Sequence, residues 1–324
     1  MSCSIHTYRE SDFDSVLEAI NAAARADGDF LLFSEADLRA RLATPHGVDW
    51  PIDPQEDSFV AEVARGGVVA YADGQVRGGP GAWMYRTWCF IRPEFRGRGI
   101  GRALLERLWA RVQELAALRG GQSIILGARA RNTQHDALAL YQQFSMRPAR
   151  YFFEMNCDLS AAIPALQVPP GLRLETWAER DDRAVWAASE EAFADHWGTK
   201  PEPFELFEHR VASGRMNRQC SYIAWDGDEI AGGALNEMGL AAARRRGQDQ
   251  GWVGVLFVRR AWRKRGLGRA LLVASLLQAR EVGHRAVGLN VDAENPTGAV
   301  RLYESVGFSV AATFIAYHRL YPEQ

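Results

Sequence analysis

Two segments of the chain, residues 96–101 and 263–268, both read Arg-x-x-Gly-x-Gly. Each follows a strand-like apolar run and precedes a run whose apolar residues recur at helical spacing. A glycine turn that enters a helix leaves the first N–H groups without intrahelical partners, and the helix dipole makes them a site for an anion. Glycine lets the backbone approach a phosphate closely, and arginine adds charge-assisted hydrogen bonds. Each segment therefore predicts a binding site for a diphosphate.

Two common diphosphate motifs do not fit these segments. A Walker loop requires Gly-Lys-Ser/Thr, which neither copy contains. The dinucleotide fingerprint G-x-G-x-x-G requires a third glycine, where the two copies have Leu104 and Leu271. A nucleoside triphosphate or a nicotinamide dinucleotide is therefore disfavoured as the ligand.

The Arg-x-x-Gly-x-Gly spacing resembles the loop with which the GNAT superfamily of N-acetyltransferases binds the pyrophosphate of acetyl-coenzyme A. Residues 295–308 resemble the closing segment of the same superfamily, in which an Asn opens a helix, a Tyr lies near the sulfur and Gly-Phe begins the last strands. Here these residues are Asn295, Tyr303 and Gly307-Phe308. The resemblance implies acetyl-coenzyme A as co-substrate. It also implies an α/β (α+β) chain of two tandem GNAT folds, each a mixed, mostly antiparallel twisted sheet flanked by helices.

The resemblance also implies roles for individual residues of the second copy. The strand before the loop contacts the pantetheine and thioester through its backbone, the loop holds the pyrophosphate, Asn295 contacts the pantetheine arm, and Tyr303 protonates the sulfur. For Tyr303 the alternative is an aromatic side chain that packs a helix on a sheet. The other cofactor contacts expected in this copy are Leu256, Phe257, Val258, Arg263, Lys264, Arg265, Gly266, Leu267, Gly268 and Arg269; their counterparts in the first copy are Cys89, Phe90, Ile91, Arg96, Gly97, Arg98, Gly99, Ile100, Gly101 and Arg102.

Acetyl transfer to an amine also needs a base, because an alkyl ammonium with a pKa near ~10 has no free lone pair. Glu237 is the predicted base, since it ends the strand before the loop strand and has partly apolar neighbours. A surface role for Glu237, or a proton path through water, is the alternative. His196 is a second candidate base, with structural packing as its alternative. Residues 244–246, three consecutive arginines, are either a solvated turn or a contact for an acidic substrate or the coenzyme 3′-phosphate.

The repeat extends along the chain and predicts two domains, residues 1–160 and 168–324, joined by a proline-containing linker over residues 158–171. The copies are unequal. The first copy has Ser145-Met146 where the second has Gly307-Phe308, and its Asn-to-Tyr spacing is one residue longer, which rotates a helical position by about 100°. The sequence therefore predicts that the second domain is catalytic and that the first is degenerate, either binding coenzyme A or serving a structural role.

Composition sets further limits on the class of protein. The 324 residues carry a net charge of −2, so no global charge argues for nucleic acid. The four cysteines show no metal-ligand spacing and are few for a disulfide framework, which favours a reducing cytoplasm. The amino terminus is too polar for a signal peptide, and no apolar run approaches the ~20 residues of a membrane span. A monomer is compatible with these features, and the oligomeric state stays open.

The leading hypothesis is a cytoplasmic N-acetyltransferase that moves the acetyl group of acetyl-coenzyme A to a small-molecule primary amine by direct attack on the thioester. Three alternatives stay open. The acceptor is a cysteinyl amine, as in one tandem branch of the superfamily; or the chain is a coenzyme A-binding sensor or pseudoenzyme; or it acetylates a peptide or protein.

Overall fold

The computed structural model describes residues 3–28, 32–43, 53, 55–64, 67–78, 83–178, 181–194, 203–238, 249–295 and 297–322. These residues form two compact units. The first contains Met1–Tyr151 together with Phe314–Gln324, and the second contains Phe152–Thr313. None of the helices among the described residues is both long and apolar enough to cross a membrane.

The first unit contains a six-stranded sheet with the order β1-β2-β3-β4-β5-β12, in which β12 (Ser309–Tyr321) is the last strand of the chain. Neighbouring strands are antiparallel except β4 and β5, which are parallel. The elements in chain order are β1 (Cys3–Thr7), α1 (Phe13–Ala26), α2 (Glu35–Ala43), β2 (Ser58–Val63), β3 (Gly67–Gly78), β4 (Trp83–Ile91), α3 (Ile100–Leu118), β5 (Ile124–Arg131), α4 (His135–Gln143) and β6 (Arg147–Asp158).

The second unit repeats this plan with the order β7-β8-β9-β10-β11-β6. Only β10 and β11 are parallel. Its elements are β7 (Leu172–Thr176), α5 (Asp182–Phe193), α6 (Phe204–Ala212), β8 (Tyr222–Asp226), β9 (Glu229–Glu237), β10 (Gln250–Val258), α7 (Leu267–Glu281), β11 (Ala286–Asp292), α8 (Ala299–Glu304) and β12 (Ser309–Tyr321). Two mixed, mostly antiparallel sheets with flanking helices confirm the predicted fold class.

The helix after each glycine loop packs one apolar face on its sheet, as the periodicity predicts. In α3 the side chains of Ile100, Leu104, Leu108 and Val112 are all buried. They share a core with β2, β3, β4 and β5. The corresponding helix α7 is buried over more of its circumference, and its residues contribute to two core clusters of the second unit.

Each sheet takes its last strand from the other half of the chain. Residues 152–158 of β6 pair with β11 in the second unit, and residues 314–321 of β12 pair with β5 in the first. Residues 159–171, within the proposed linker, contain no helix or strand. The compact units are therefore not obtained by cutting the chain at this linker, because strand pairing joins residues that lie more than 180 positions apart.

Candidate active site

Each sheet opens in its middle where its two parallel strands diverge. Strands β10 and β11 pair only over residues 250–252 and 286–288, and then separate, although β10 stays paired with β9 as far as Val258. Strands β4 and β5 likewise pair only over residues 83–86 and 124–127. We call these openings the β10–β11 split and the β4–β5 split. Backbone groups along a split have no partner strand, so an extended ligand can bind there as a strand would.

A glycine loop follows the diverging strand in both units. Gly99 and Gly266 are the N-cap residues of α3 and α7 and adopt φ of 83° and 85°. This left-handed conformation turns the chain into the helix and suits glycine. In the second unit the backbone bonds around the turn are Arg263 N–H to Arg260 O and Ala270 N–H to Gly266 O. The amides of residues 264–269 precede the first of the intrahelical bonds, which is the arrangement expected of an anion cradle.

The arginine that opens each loop points into the protein. Arg263 donates from Nε to Val258 O at 3.0 Å and from Nη2 to Ala192 O at 2.9 Å. Arg96 donates from Nε to Ile91 O at 3.2 Å and forms a bidentate ion pair with Asp27. In both units this side chain therefore braces the loop against the end of the preceding strand and the end of the unit's first helix. Contact of these guanidinium groups with a phosphate stays a prediction.

The last glycine of each loop permits close packing of two helices. A Cβ on Gly268 would lie 3.2 Å from Leu302 of α8, and one on Gly101 would lie 2.9 Å from Leu140 of α4. The loop helix and the tyrosine-bearing helix therefore approach closely in both units. This contact brings the loop and the tyrosine helix to the same end of the sheet.

The two splits differ in one feature. Strand β10 has a β-bulge against β9, whereas β4 has none against β3. The register of β10 against β9 shifts at Gly254, whereas β4 pairs with β3 without a shift over residues 83–91. Val253 packs with α7 residues, but after the bulge Val255 and Phe257 pack with α5 and α6, while Leu256 packs with α7 again. The bulge therefore reverses which side chains face each side of the sheet. Gly254 is exposed although it lies in a central strand.

The sequence patterns considered above did not include this bulge. An isolated glycine inside a strand pattern, as in Val253-Gly254-Val255, is the signal that indicates a bulge. The same pattern is absent from β4, where Thr87 takes the matching place and donates to Gly127 O at 3.1 Å. The local sequence thus contained the signal, but its importance depends on the split beside it.

Tyr303 lies on α8 and is 8% exposed. Its ring lies 6.0 Å from that of Phe308. It belongs to a cluster that also contains Leu289, Val291 and, at its edge, Leu256 of β10. Burial raises the pKa of Tyr303 to about 12. The residue thus lies on the α7 side of the β10–β11 split, packed as an aromatic side chain and fully protonated at neutral pH.

The first unit places Tyr141 equivalently, despite the longer Asn-to-Tyr spacing. Tyr141 is also 8% exposed, and its ring lies 5.5 Å from that of Tyr317 in β12. Burial raises its pKa above the ordinary value. The helix begins six residues before Tyr141 but only four before Tyr303, so the two segments differ at the start of the helix. Asn132 is exposed, while Asn295 is half-buried and accepts from Thr297 N–H.

The turn after each tyrosine is also the same. Met146 N–H bonds Tyr141 O at 2.9 Å, and Phe308 N–H bonds Tyr303 O at 3.1 Å. Ser145 adopts φ of 59° where Gly307 adopts 103°. The serine therefore makes the left-handed turn at a cost of roughly 1–2 kcal/mol, and the loss of glycine does not change the hydrogen bonds of this turn.

Glu237 ends β9 and is 6% exposed. It is the cross-strand neighbour of Trp252, which in turn neighbours Gly288, and Gly288 neighbours Asn156 of β6. The preceding residue, Asn236, bonds Ser275 of α7, so alternation puts Glu237 on the opposite face of the sheet.

This row of four residues lies beside the split, with a carboxylate at one end and an amide at the other. The Trp252 ring lies over Gly288, where a Cβ would come within 2.3 Å of it. Gln250 lies next to this row and donates to Asn156 Oδ1 at 2.8 Å. Tyr303 and Glu237 therefore lie on opposite faces of the sheet, and both are near the β10–β11 split.

Two of the positions singled out in the sequence, His196 and the arginines at 244–246, lie outside the described residues. Cys89 lies on β4 among apolar residues of the first core. Burial raises the pKa of its thiol to about 12, so Cys89 is not an activated nucleophile.

Comparisons with known proteins identify the family of both units. The model of the acetyltransferase (GNAT) family matches residues 175–308, and an acetyltransferase (GNAT) domain model matches residues 54–144. The chain is 30% identical to the mycothiol acetyltransferase of Geodermatophilus obscurus over 308 residues, covering 94% of this chain and 93% of that protein. It is also 30% identical to that of Thermobispora bispora over 309 residues, covering 95% and 96%.

Solved structures show the same tandem arrangement. A GCN5-related N-acetyltransferase from Sphaerobacter thermophilus is 27% identical, with a TM-score of 0.74 over 98% of this chain and 95% of that one. A tandem GNAT protein from the clavulanic acid biosynthesis pathway shares the fold with a TM-score of 0.69 at 18% identity, covering 98% of both chains. The chain belongs to the GNAT family of acetyltransferases and contains two GNAT domains in tandem.

Proposed function

We propose that the second unit transfers the acetyl group of acetyl-coenzyme A to the primary amine of a small molecule. The observation that carries this proposal is the bulged, exposed Gly254 at the β10–β11 split, with the Gly266 loop at one end of β10. The split takes the pantetheine as an added strand, and the amides of residues 264–269 take the pyrophosphate. The bulge exposes Gly254 two residues after Trp252, the cross-strand neighbour of Glu237, and Tyr303 packs with Leu256 on the other face.

The chain's own residues then move two protons. Glu237 takes the proton of the amine, directly or through a water, so that the nitrogen lone pair attacks the acetyl carbon and a C–N bond forms. As the C–S bond breaks, Tyr303 gives its hydroxyl proton to the departing sulfur, and the phenolate regains a proton when the acetylated nitrogen releases its second one. Backbone N–H groups at the bulge stabilise the negative charge that develops on the acetyl oxygen. The products are the acetylated amine and the free thiol of coenzyme A.

Because the pKa of Tyr303 is raised, we predict that ionisation of this residue does not lower kcat at moderately alkaline pH. Because burial disfavours the phenolate, the proton is retained as pH rises and is lost only near about 12. We expect kcat to rise and then stay level from about pH 7 to about pH 10.5, as the amine of the acceptor loses its own proton, near ~8 for a cysteinyl amine or near ~10 for an alkyl amine. Steady-state thiol release over this range measures it. An alkaline decline with a midpoint near ~10 that vanishes in Tyr303→Phe would contradict the raised pKa, although it would still identify Tyr303 as the titrating acid.

Replacing Glu237 with Gln is expected to lower kcat roughly 100-fold near neutral pH, because the isosteric amide cannot accept the amine proton. The loss should shrink as the pH passes the pKa of the acceptor amine, near ~8 for a cysteinyl amine or near ~10 for an alkyl amine, because the amine is then neutral without help. Thiol release at several pH values measures both effects. Glu229→Gln, an exposed position at the start of the same strand, is the matched control. A loss that is equal at all pH values would indicate a structural role for Glu237 instead.

Replacing Gly266 with Ala tests which loop serves catalysis. A Cβ there meets no atom within 4 Å, so the effect arises from the backbone, whose φ of +85° costs an alanine roughly 1–2 kcal/mol. We expect KM for acetyl-coenzyme A to rise about tenfold as the loop relaxes. Gly99→Ala imposes the same strain at φ of +83° in the first unit. A rise in KM with Gly99→Ala but not Gly266→Ala would move the reaction to the first unit.

The acceptor we propose first is a cysteinyl amine, because the relatives that match over nearly the whole chain are named mycothiol acetyltransferases. Thiol release with the cysteinyl precursor of mycothiol, beside a panel of small amines and amine-bearing peptides, tests this. Turnover of other small amines but not of the precursor would support the proposed acetyltransferase activity and rule out this acceptor. Tight coenzyme binding without turnover of any amine would instead favour a sensor, and turnover of peptides alone a peptide acetyltransferase.

We also propose that the first unit keeps a coenzyme A site, since its split and its glycine loop repeat those of the second unit. Calorimetric titration of the full chain should then give a stoichiometry of about two. We place the reaction in a reducing compartment, because all four cysteines are unpaired. Cell fractionation would test this, and recovery in a secreted fraction would contradict it.

A further inference from the structure

We propose that Asn217 is a positioning residue for Glu237, the base in the acetyl transfer proposed for the second unit. This role rests on the proposed function and adds to it a residue that acts through the main chain on either side of the base. Asn217 lies between α6 and β8 and is half-buried. It donates hydrogen bonds to the carbonyl groups of both residues that flank Glu237.

The carboxyl end of β9, where Glu237 lies, extends beyond one of its partner strands. The pairing of β8 with β9 ends at Ala234, so strand β8 does not cover this edge of residues 235–237. On the other edge, the pairing of β9 with β10 beyond the bulge covers residues 236 and 237. A strand end with few ladder bonds opens more readily than the middle of a sheet. The base therefore depends on contacts outside the ladder to keep a fixed position.

Asn217 makes hydrogen bonds that a neighbouring strand would make at this edge. Its backbone N–H donates to Asn236 O at 2.7 Å, and its side-chain Nδ2 donates to Met238 O at 3.3 Å. Carbonyl groups two residues apart in a strand point to the same edge, so one residue beside that edge reaches both. Ser221 adds a third bond, because its Oγ accepts from Asn236 N–H at 2.8 Å. One asparagine thus fixes the main chain before and after Glu237.

Asn217 is itself held in one orientation by the short turn that follows it. Its Oδ1 accepts from Gln219 N–H at 2.9 Å, which assigns the other end of the amide, the donor Nδ2, to Met238 O. Its backbone carbonyl accepts from Ser221 Oγ at 2.7 Å. An amide group whose oxygen and nitrogen both have partners cannot turn over without losing both bonds. The side chain is therefore a fixed link between this turn and the end of β9.

The segment that leads into Asn217 also lies beside the bulge. A Cβ on Gly254 would lie 3.2 Å from Leu235 O and 3.9 Å from Arg215 O. The backbones of β9 and of the segment after α6 therefore both approach the bulged residue closely. A shift of Asn217 would move Glu237 relative to the bulge, where the proposed reaction develops its negative charge. A displacement of about 1 Å from the reacting geometry can cost roughly a hundredfold in rate.

Replacing Asn217 with Ser removes the Nδ2 donor but keeps an oxygen that can accept from Gln219 N–H. We expect kcat to fall about tenfold near neutral pH, because the base is displaced and not removed. KM for acetyl-coenzyme A should stay unchanged. The loss should shrink as the pH passes the pKa of the acceptor amine, as for Glu237→Gln, since a neutral amine needs no base. Thiol release by the full chain at several pH values measures both constants.

A double-mutant cycle separates this role from a general loss of structure. If Asn217 acts through Glu237, the variant that combines Asn217→Ser with Glu237→Gln should be no slower than Glu237→Gln alone. The combined loss of kcat is then about 100-fold, whereas independent effects would multiply to about 1000-fold. Asn21→Ser in the first unit is the matched control, and it should leave kcat unchanged. Asn21 also uses its amide to hold a main-chain segment, since it bonds both Phe33 O and Phe33 N–H.

Hydrogen exchange of the backbone tests the link without any turnover. Asn217→Ser should speed exchange of the amides of residues 235–238 by roughly fivefold, the usual net effect of losing one hydrogen bond. Asn21→Ser should leave their exchange unchanged. Thermal melts show whether each variant is folded at the temperature of the assay.

Three results would overturn the positioning role: a kcat of Asn217→Ser equal to that of the unsubstituted protein, losses that multiply in the double variant, or unchanged exchange of residues 235–238. A loss of kcat in Glu237→Gln without a loss in Asn217→Ser would reject the link and leave the proposed reaction intact. Full kcat in Glu237→Gln would reject Glu237 as the base, and the positioning role of Asn217 with it.

Discussion

Replacing Tyr303 with Phe is expected to lower kcat for amine acetylation roughly 100-fold, the usual contribution of a positioned general acid. The substitution removes one hydroxyl and keeps the ring, which packs 6.0 Å from Phe308 in the core of the second unit. The fold and KM for acetyl-coenzyme A should therefore change little. Thiol release under saturating substrates gives kcat, and a thermal melt checks the fold.

The first unit supplies the matched control for this experiment. Tyr141 is equally buried, on the equivalent helix, and packs on Tyr317. Tyr141→Phe should leave kcat unchanged if the second unit does the chemistry. An equal loss in both variants would point to a general effect of the hydroxyl on helix packing. An unaffected kcat in Tyr303→Phe would remove the acid role and leave Tyr303 as a packing residue.

Replacing Tyr317 with Ala is expected to destabilise the first unit by roughly 4 kcal/mol, although the residue lies near the carboxyl end of the chain. Tyr317 is 2% exposed, pairs with Ala128 of β5 and packs against Tyr141. Loss of a buried aromatic ring leaves a cavity that rigid strands on either side cannot fill. Amides of β5 that exchange through global opening of the first unit should then exchange about a thousandfold faster.

The prediction is tested by which strands lose protection against hydrogen exchange. Native-state hydrogen exchange should show the effect in β5, while β11 in the second unit keeps its protection. Val310→Ala is the control, because Val310 is in the same strand, within the residues of the second unit, and is 45% exposed. Faster hydrogen exchange in β11 with unchanged hydrogen exchange in β5 would contradict the pairing of β12 with β5. It would mean that the last strand belongs with the second sheet along its whole length.

Much of the candidate site was predictable because it is encoded in consecutive residues. The glycine loops, the helices that follow them and the Asn295-to-Phe308 segment depend on local turn conformation and helical period. The two copies differ in sequence at Ser145 and Gly307, but the structural effect is small, since Ser145 adopts the same left-handed turn. The important inequality is the bulge at Gly254, where a single residue reverses the side-chain alternation of β10.

The sequence by itself determined the tandem GNAT class, the two phosphate-type loops and the candidate acid Tyr303, because each follows from a short pattern read along the chain. Only the tertiary structure decided that β12 completes the first sheet and that Glu237 neighbours Trp252 at the split. It alone also showed that Arg86 takes the place of Trp252 beside the first split, between Gln75 and Gly127. These relations depend on strand register, which pairs residues far apart in the chain, and a local pattern does not specify which distant strand a given strand will join.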